Sequence, residues 1–151
     1  MKKYLLLLLL LLTVQQGYCQ KSYTVEQLFS EFSKAPNIET VKLGKFAMGL
    51  ASIFTKTMGV KSVEVYSFDS CSRETKKKLT NAVKVLKDSS YDILMRVNDN
   101  GQHVRILTKI KDNYISELIV ITLDPSGALI RLKGKIDPSK FEDVTHEYGN
   151  G

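Results

Sequence analysis

The chain has 151 residues, 43% of them hydrophobic, with 22 basic and 16 acidic side chains, a net charge of +6 at pH 7 and two cysteines. That length suits one domain with a core of its own. So mild a positive balance lacks the dense basic stripe of a nucleic-acid binder and excludes that class of partner.

Lys2 and Lys3 open the chain with positive charge, Leu5 to Leu12 is an unbroken apolar run, and Val14 to Cys19 is a short, more polar exit. This is the three-part pattern of a secretory signal peptide. The run ends at Gln15 and Gln16, well short of the roughly 20 apolar residues that span a bilayer. Gly17 and Cys19 are small enough for the positions before a cleavage site, so residues 1–19 are expected to be removed and residues 20–151 to remain as a single α+β domain. The alternative is a lipoprotein with Cys19 as the lipid-bearing first residue; Tyr18 stands against it, because Gly or Ala ordinarily precedes such a cysteine. The expected location is exported, either periplasmic or secreted, with an outer-membrane lipoprotein as the alternative, and membrane contact is expected only if Cys19 is lipidated. Cleavage removes two of the 22 basic side chains and none of the 16 acidic ones, so the net charge falls from +6 to +4. It also leaves Cys71 as the lone thiol, which rules out an internal disulfide.

No repeat or Pro/Gly-rich linker interrupts residues 21–148, and the pattern shifts from helix-rich to strand-rich near residue 90. Thr24 followed by Gln27 is a capping-box start; Leu28, Phe29 and Phe32 supply an apolar face, and Pro36 stops the helix. A short extended stretch over Thr40 to Leu43 follows, then an apolar helix through Phe46, Met48, Leu50, Ile53 and Phe54 that ends near Gly59. Val63, Val65 and Ser67 alternate with Glu64, Tyr66 and Phe68 as a strand. Ser72 caps a further helix whose inner stripe is Leu79, Ala82, Val83 and Leu86, with its lysines forming a solvated outer face.

The second half reads as a four-stranded meander with turns at Asn100-Gly101, Asp112-Asn113 and Asp124-Pro125-Ser126-Gly127. Counting outward from the turns pairs Val97 with Val104, Met95 with Ile106, Ile110 with Ile115, Ile106 with Ile119, Ile121 with Ile130, and Ile119 with Leu132. This register predicts one continuous apolar face from Tyr91 through Leu132, because a one-residue slip would turn a strand's side chains over. The expected architecture is a two-layer sandwich: a mainly antiparallel sheet of four to five strands, covered by two to three helices from the first half.

Two candidate sites follow from that register. Inside the apolar face it sets one acid, Glu117, with Thr108 across from it on one side and Gly134 on the other. A hydroxyl donor beside a carboxylate, with space left by glycine, suggests a small polar pocket. The plainer alternative is that Glu117 reaches solvent or pairs with a lysine such as Lys42 or Lys45. On the opposite face the register aligns Leu94, Leu107 and Leu118, flanked by Arg96, Arg105, Val120, Arg131 and Lys133. An apolar row rimmed by arginines suits a protein partner, a second copy in a homodimer, or an anionic amphipathic envelope molecule. Alternatively, the N-terminal helix or the C-terminal segment folds over it.

His103 and His146 have no nucleophile or ligand set beside them. Glu142, Asp143, His146 and Glu147 share helical spacing, but no metal site is expected from acidic helix termini alone. Cys71 precedes a helix and Arg73, surroundings that lower a thiol pKa and leave a redox role open. No phosphate loop is present, and no cofactor is expected.

The signal segment ending in Gln, the apolar Met48–Phe54 helix, the run from Lys111 through Leu118 and the closing Leu132 to Asp137 together resemble an exported bacterial family common in Bacteroidetes, domain of unknown function 4252. The likeness covers most of residues 24–144. It implies an exported α+β domain and brings no activity or catalytic residue with it. The resulting expectation is a non-enzymatic binding or envelope-accessory domain. Its alternatives are a small enzyme with a pocket acid at Glu117 and a thiol role for Cys71.

Overall fold

The computed structural model of the chain describes residues 22–40, 59–123 and 127–139. In chain order these form helix α1 (Val25–Phe32), strand β1 (Val60–Ser67), helix α2 (Arg73–Lys84), and strands β2 (Asp92–Asp99), β3 (Gln102–Lys111), β4 (Tyr114–Leu123) and β5 (Ala128–Ile136). The expected signal segment, the apolar helix over Phe46–Phe54, most of the Thr40–Leu43 stretch, the tip of the last turn and the Glu142–Glu147 cluster lie outside the described residues.

Local chemistry accounts for both helices. The Thr24 hydroxyl accepts from the Gln27 amide at 3.2 Å, and the Gln27 side chain accepts from the Thr24 amide at 3.1 Å, so the capping box closes in both directions. Asp88 accepts from the Val25 amide at 3.1 Å, adding negative charge where the helix dipole favours it. The helix ends at Phe32, ahead of Pro36, which disfavours helical geometry in the residue before it. At α2, Ser72 accepts from the Thr75 amide at 3.2 Å, while Leu79, Ala82 and Val83 turn inward.

The five strands lie in the order β1-β5-β4-β3-β2, every neighbour antiparallel. Two of the turns adopt the left-handed angles that their residues tolerate: Asn100 and Gly101 at φ 47° and 78°, Asp112 and Asn113 at 53° and 64°. Near these turns the pairing is the one counted from sequence, with Val97 opposite Val104, Met95 opposite Ile106 and Ile110 opposite Ile115. Beyond Ser116 it is not. The β3–β4 register shifts there, so Ile106 faces Val120; independently, β4 and β5 pair one residue away from the expected register from Thr122 opposite Ala128 onward, so Ile121 faces Leu129 and Ile119 faces Arg131. Ser116 is the extra residue of a β-bulge, and its hydroxyl donates to the Lys109 carbonyl at 3.0 Å.

Because side chains alternate between faces, these two one-residue offsets divide the predicted single apolar face in two. Leu107, Ile119, Ile121 and Leu129 lie under α1 and α2, packed with Leu28, Phe29, Phe32, Phe68 and Leu79. Ile106, Ile115, Leu118, Val120, Ile130, Leu132 and Ile136 form a second buried cluster on the opposite face, and no described helix packs there. Each fully buried Leu or Ile on either side contributes roughly 1.5–3 kcal/mol. Phe32 meets Phe68 edge-on with ring centroids 6.0 Å apart, joining α1 to the end of β1. Gly59, at φ 81°, and Gly134 let β1 and β5 approach closely; a side chain on Gly134 would collide with the Gly59 carbonyl.

Candidate functional site

The changed strand registers redistribute both groups of residues singled out from sequence. Arg105, Leu107 and Arg131 face the helices, Leu118 and Val120 are buried on the other face, and Leu94 and Arg96 on β2 and Lys133 on β5 are exposed. The expected row of Leu94, Leu107 and Leu118 is therefore not assembled as one surface. Glu117 lies opposite Lys109 and Lys133, not Thr108 and Gly134. Thr108 is buried opposite Leu118, and the space beside Gly134 is taken by the backbone of β1.

Glu117 instead has a partner that counting strands from the turns did not place. The Tyr91 hydroxyl donates to its Oε2 at 2.6 Å, and the Lys109 ammonium lies 5.5 Å from the Tyr91 ring centroid. Burial first, then the bond to Glu117, pushes the Tyr91 pKa well above the usual tyrosine value. This hydroxyl is thus a proton holder in a closed pair. Cys71 is equally quiet. It is buried, its thiol lies 3.4 Å from the Pro36 carbonyl, and burial raises its pKa more than Lys76 lowers it. Among the described residues no three metal-ligating side chains cluster, and no helix is long and apolar enough to cross a membrane.

Two arginine sites remain on the helix-covered face. Arg131 on β5 is 4% exposed and lies over the Phe29 ring at 4.1 Å. Its Nη1 pairs with Glu26 at 3.2 Å and its Nε lies 3.5 Å from Glu64, too poorly aligned for a hydrogen bond; Nη2 has no hydrogen-bond partner among the described residues. Carboxylates from α1 and β1 thus offset this charge, and the side chain clasps three elements together.

Arg105 on β3 is different. It lies directly across from Arg96 on β2, an arrangement of like charges that costs stability in a sheet. Its Nη1 donates to the Val83 carbonyl at 2.8 Å, at the C-terminal end of α2. Burial, then Arg96, lowers its pKa. Arg96 and Arg105 border an open basin of about 250 Å³, between α2 and the β2–β3 hairpin. Lys84, Thr80, Asn98 and His103 add to its polar rim, while Val83, Ile121 and Leu123 give it an apolar floor. His103 Nδ1 and Asn98 Oδ1 are 2.7 Å apart, which fixes the imidazole at the rim. No carboxylate is among the described lining residues. The sequence placed Arg96 and Arg105 together on one face; the contribution of Lys84 from α2 required the helix to be docked.

A family model described as Domain of unknown function (DUF4252) matches residues 32–144. No curated protein and no solved structure matches the chain.

Proposed function

The chain belongs to the DUF4252 family, and we propose that it is an exported, non-enzymatic binding domain of the cell envelope that takes an anionic molecule at the Arg96–Arg105 basin. The observation that carries this reading is the like-charged pair itself. Arg96 and Arg105 are directly opposite across β2 and β3, with Lys84 in the same lining and no carboxylate among the described lining residues. Such a pair is unfavourable in the free protein and becomes favourable when an anion bridges it, since guanidinium groups bind carboxylate or phosphate through paired, charge-assisted hydrogen bonds. The apolar floor suits a ligand with a hydrophobic portion beside its charge. Glu117, held by Tyr91, and Cys71, held as a thiol, support a binding role over an enzymatic one.

Titration with dodecyl phosphate, below its micellar concentration, tests the site. Binding should weaken at least tenfold in Arg96→Glu, whose side chain is exposed and not needed for packing, and dodecyltrimethylammonium should not bind. Equal affinity for the two amphiphiles would remove the proposal. For export, the intact mass of the protein from native cells should correspond to a chain starting at an unmodified or cyclised Gln20. A lipid mass on Cys19 would place it instead among outer-membrane lipoproteins.

A further inference from the structure

β2 is an edge strand, and it is left open in a way that β1, the other edge, is not. One end of β1 is closed by Glu39, whose amide donates to the Ser67 carbonyl at 3.2 Å while its carbonyl accepts from the Ser67 amide at 2.7 Å. No described residue pairs with the outer side of β2. Ile93, Leu94 and Val97 are 55%, 47% and 38% exposed there, large apolar side chains placed where edge strands usually carry charge or proline. A bulge interrupts the strand between Ile93 and Met95; from Met95 to Asp99 the pairing with β3 is regular. Those five residues form a straight ladder with one side free, and Arg96 lies within it.

We infer that the partner of the basin is an acidic, extended peptide segment that adds to β2 as a sixth strand. This rests on the anion-binding reading above and names the ligand's class. In an added strand, the residue opposite Arg96 lies roughly 5 Å away on the same face. An acidic side chain at that position meets Arg96 and, behind it, Arg105. The residues on either side of that acid fall on the opposite face, next to Met95 and Val97, where apolar side chains fit. Main-chain hydrogen bonds supply affinity in such additions and the alternating side chains supply selectivity. A second copy of this chain fits less well, because pairing two β2 strands over their full length sets Asp92 of each against Asp99 of the other, and like charges directly opposite destabilise.

The probe is an eight-residue peptide of alternating valine and threonine with one central glutamate, compared with glutamine and lysine versions. The glutamate peptide should bind and shift the amide resonances of Met95–Asp99, with the glutamine version at least tenfold weaker. In Arg96→Glu the preference should reverse toward the lysine peptide. N-methylation of alternate amides along one edge of the peptide should abolish binding, while methylation along the other edge should leave it within about twofold. Absence of glutamate-peptide binding at millimolar concentration overturns the inference, as does insensitivity to methylation on either edge. So does concentration-dependent self-association that competes with the peptide. If dodecyl phosphate still binds in an Arg96-dependent way while the peptide does not, strand addition falls and the anion-binding reading stands. If neither binds, both fall.

Discussion

Arg131 and Arg105 lie on the same face of the sheet, two strands apart, and differ in what offsets their charge. Arg131 is almost fully buried, stacked on Phe29 and approached by Glu26 and Glu64. Arg105 is half-buried, held among the described residues by a backbone carbonyl, and faced by another arginine. A cation enclosed by carboxylates from neighbouring elements is part of the fold. A cation set against a like charge at the border of an open basin weakens the fold slightly and is available to a ligand.

Removing Arg131 should break this contrast most severely. Arg131→Ala empties a buried site over an aromatic ring and unties α1 from β1 and β5, at a cost of about 3 kcal/mol. Arg131→Met, which keeps the volume, should cost about half as much. Urea unfolding measures both; a loss in Arg131→Ala no larger than that in Arg105→Ala would erase the distinction. Glu64 is partly exposed, so Glu64→Gln should cost no more than about 1 kcal/mol after solvent screening.

The limits of the sequence reading trace to one-residue offsets in strand pairing: the bulge at Ser116 between β3 and β4, the irregularity between Ile93 and Met95 on β2, and the β4–β5 pairing that begins with Thr122 opposite Ala128. Capping at Thr24 and Ser72, both left-handed turns and the antiparallel meander were legible, because each depends on residues adjacent in the chain. The bulge at Ser116 was not, since nothing about a serine announces an extra residue in a strand. Its consequence did leave a signal: Leu118-Ile119-Val120-Ile121 is a continuous apolar run, and strands buried on both faces read that way. A strand apolar on one face alone would have alternated. Once the register moves, Glu117 leaves Thr108 and Gly134 and meets Tyr91, and the arginine pair closest to the sheet edge becomes the candidate site.

Tyr91 and Glu117 offer a subtler perturbation. Tyr91→Phe removes the hydroxyl that donates to Glu117 and should cost about 1 kcal/mol at neutral pH. Its pKa is raised above its ordinary value of 10.0, so the folded state holds the proton more tightly than the unfolded chain. The associated stability is fully present below pH 10 and is lost as pH rises toward the folded-state value. Cys71, Tyr23 and Tyr66 are shifted in the same direction. The informative quantity is therefore the difference between wild type and Tyr91→Phe, measured by urea unfolding at pH 8 and pH 11. That difference should shrink at the higher pH; a constant difference would mean that Tyr91 titrates alike in both states.

The smallest effect on stability should come from the basin, and there the sign matters more than the size. Arg96→Glu replaces a like-charge pair across β2 and β3 with an opposed one, so the fold should gain up to about 0.5 kcal/mol. Arg105→Met trades the bond to Val83 for relief of the same repulsion and should come out within about 0.5 kcal/mol of neutral. Both variants should lose anion binding. A stabilised protein that no longer binds is the pattern expected where charge is kept for a ligand and not for packing. If Arg96→Glu instead destabilised the fold by more than about 1 kcal/mol, Arg96 would have to be stabilising the free protein as Arg131 does, and the contrast between the two arginines would have to be redrawn.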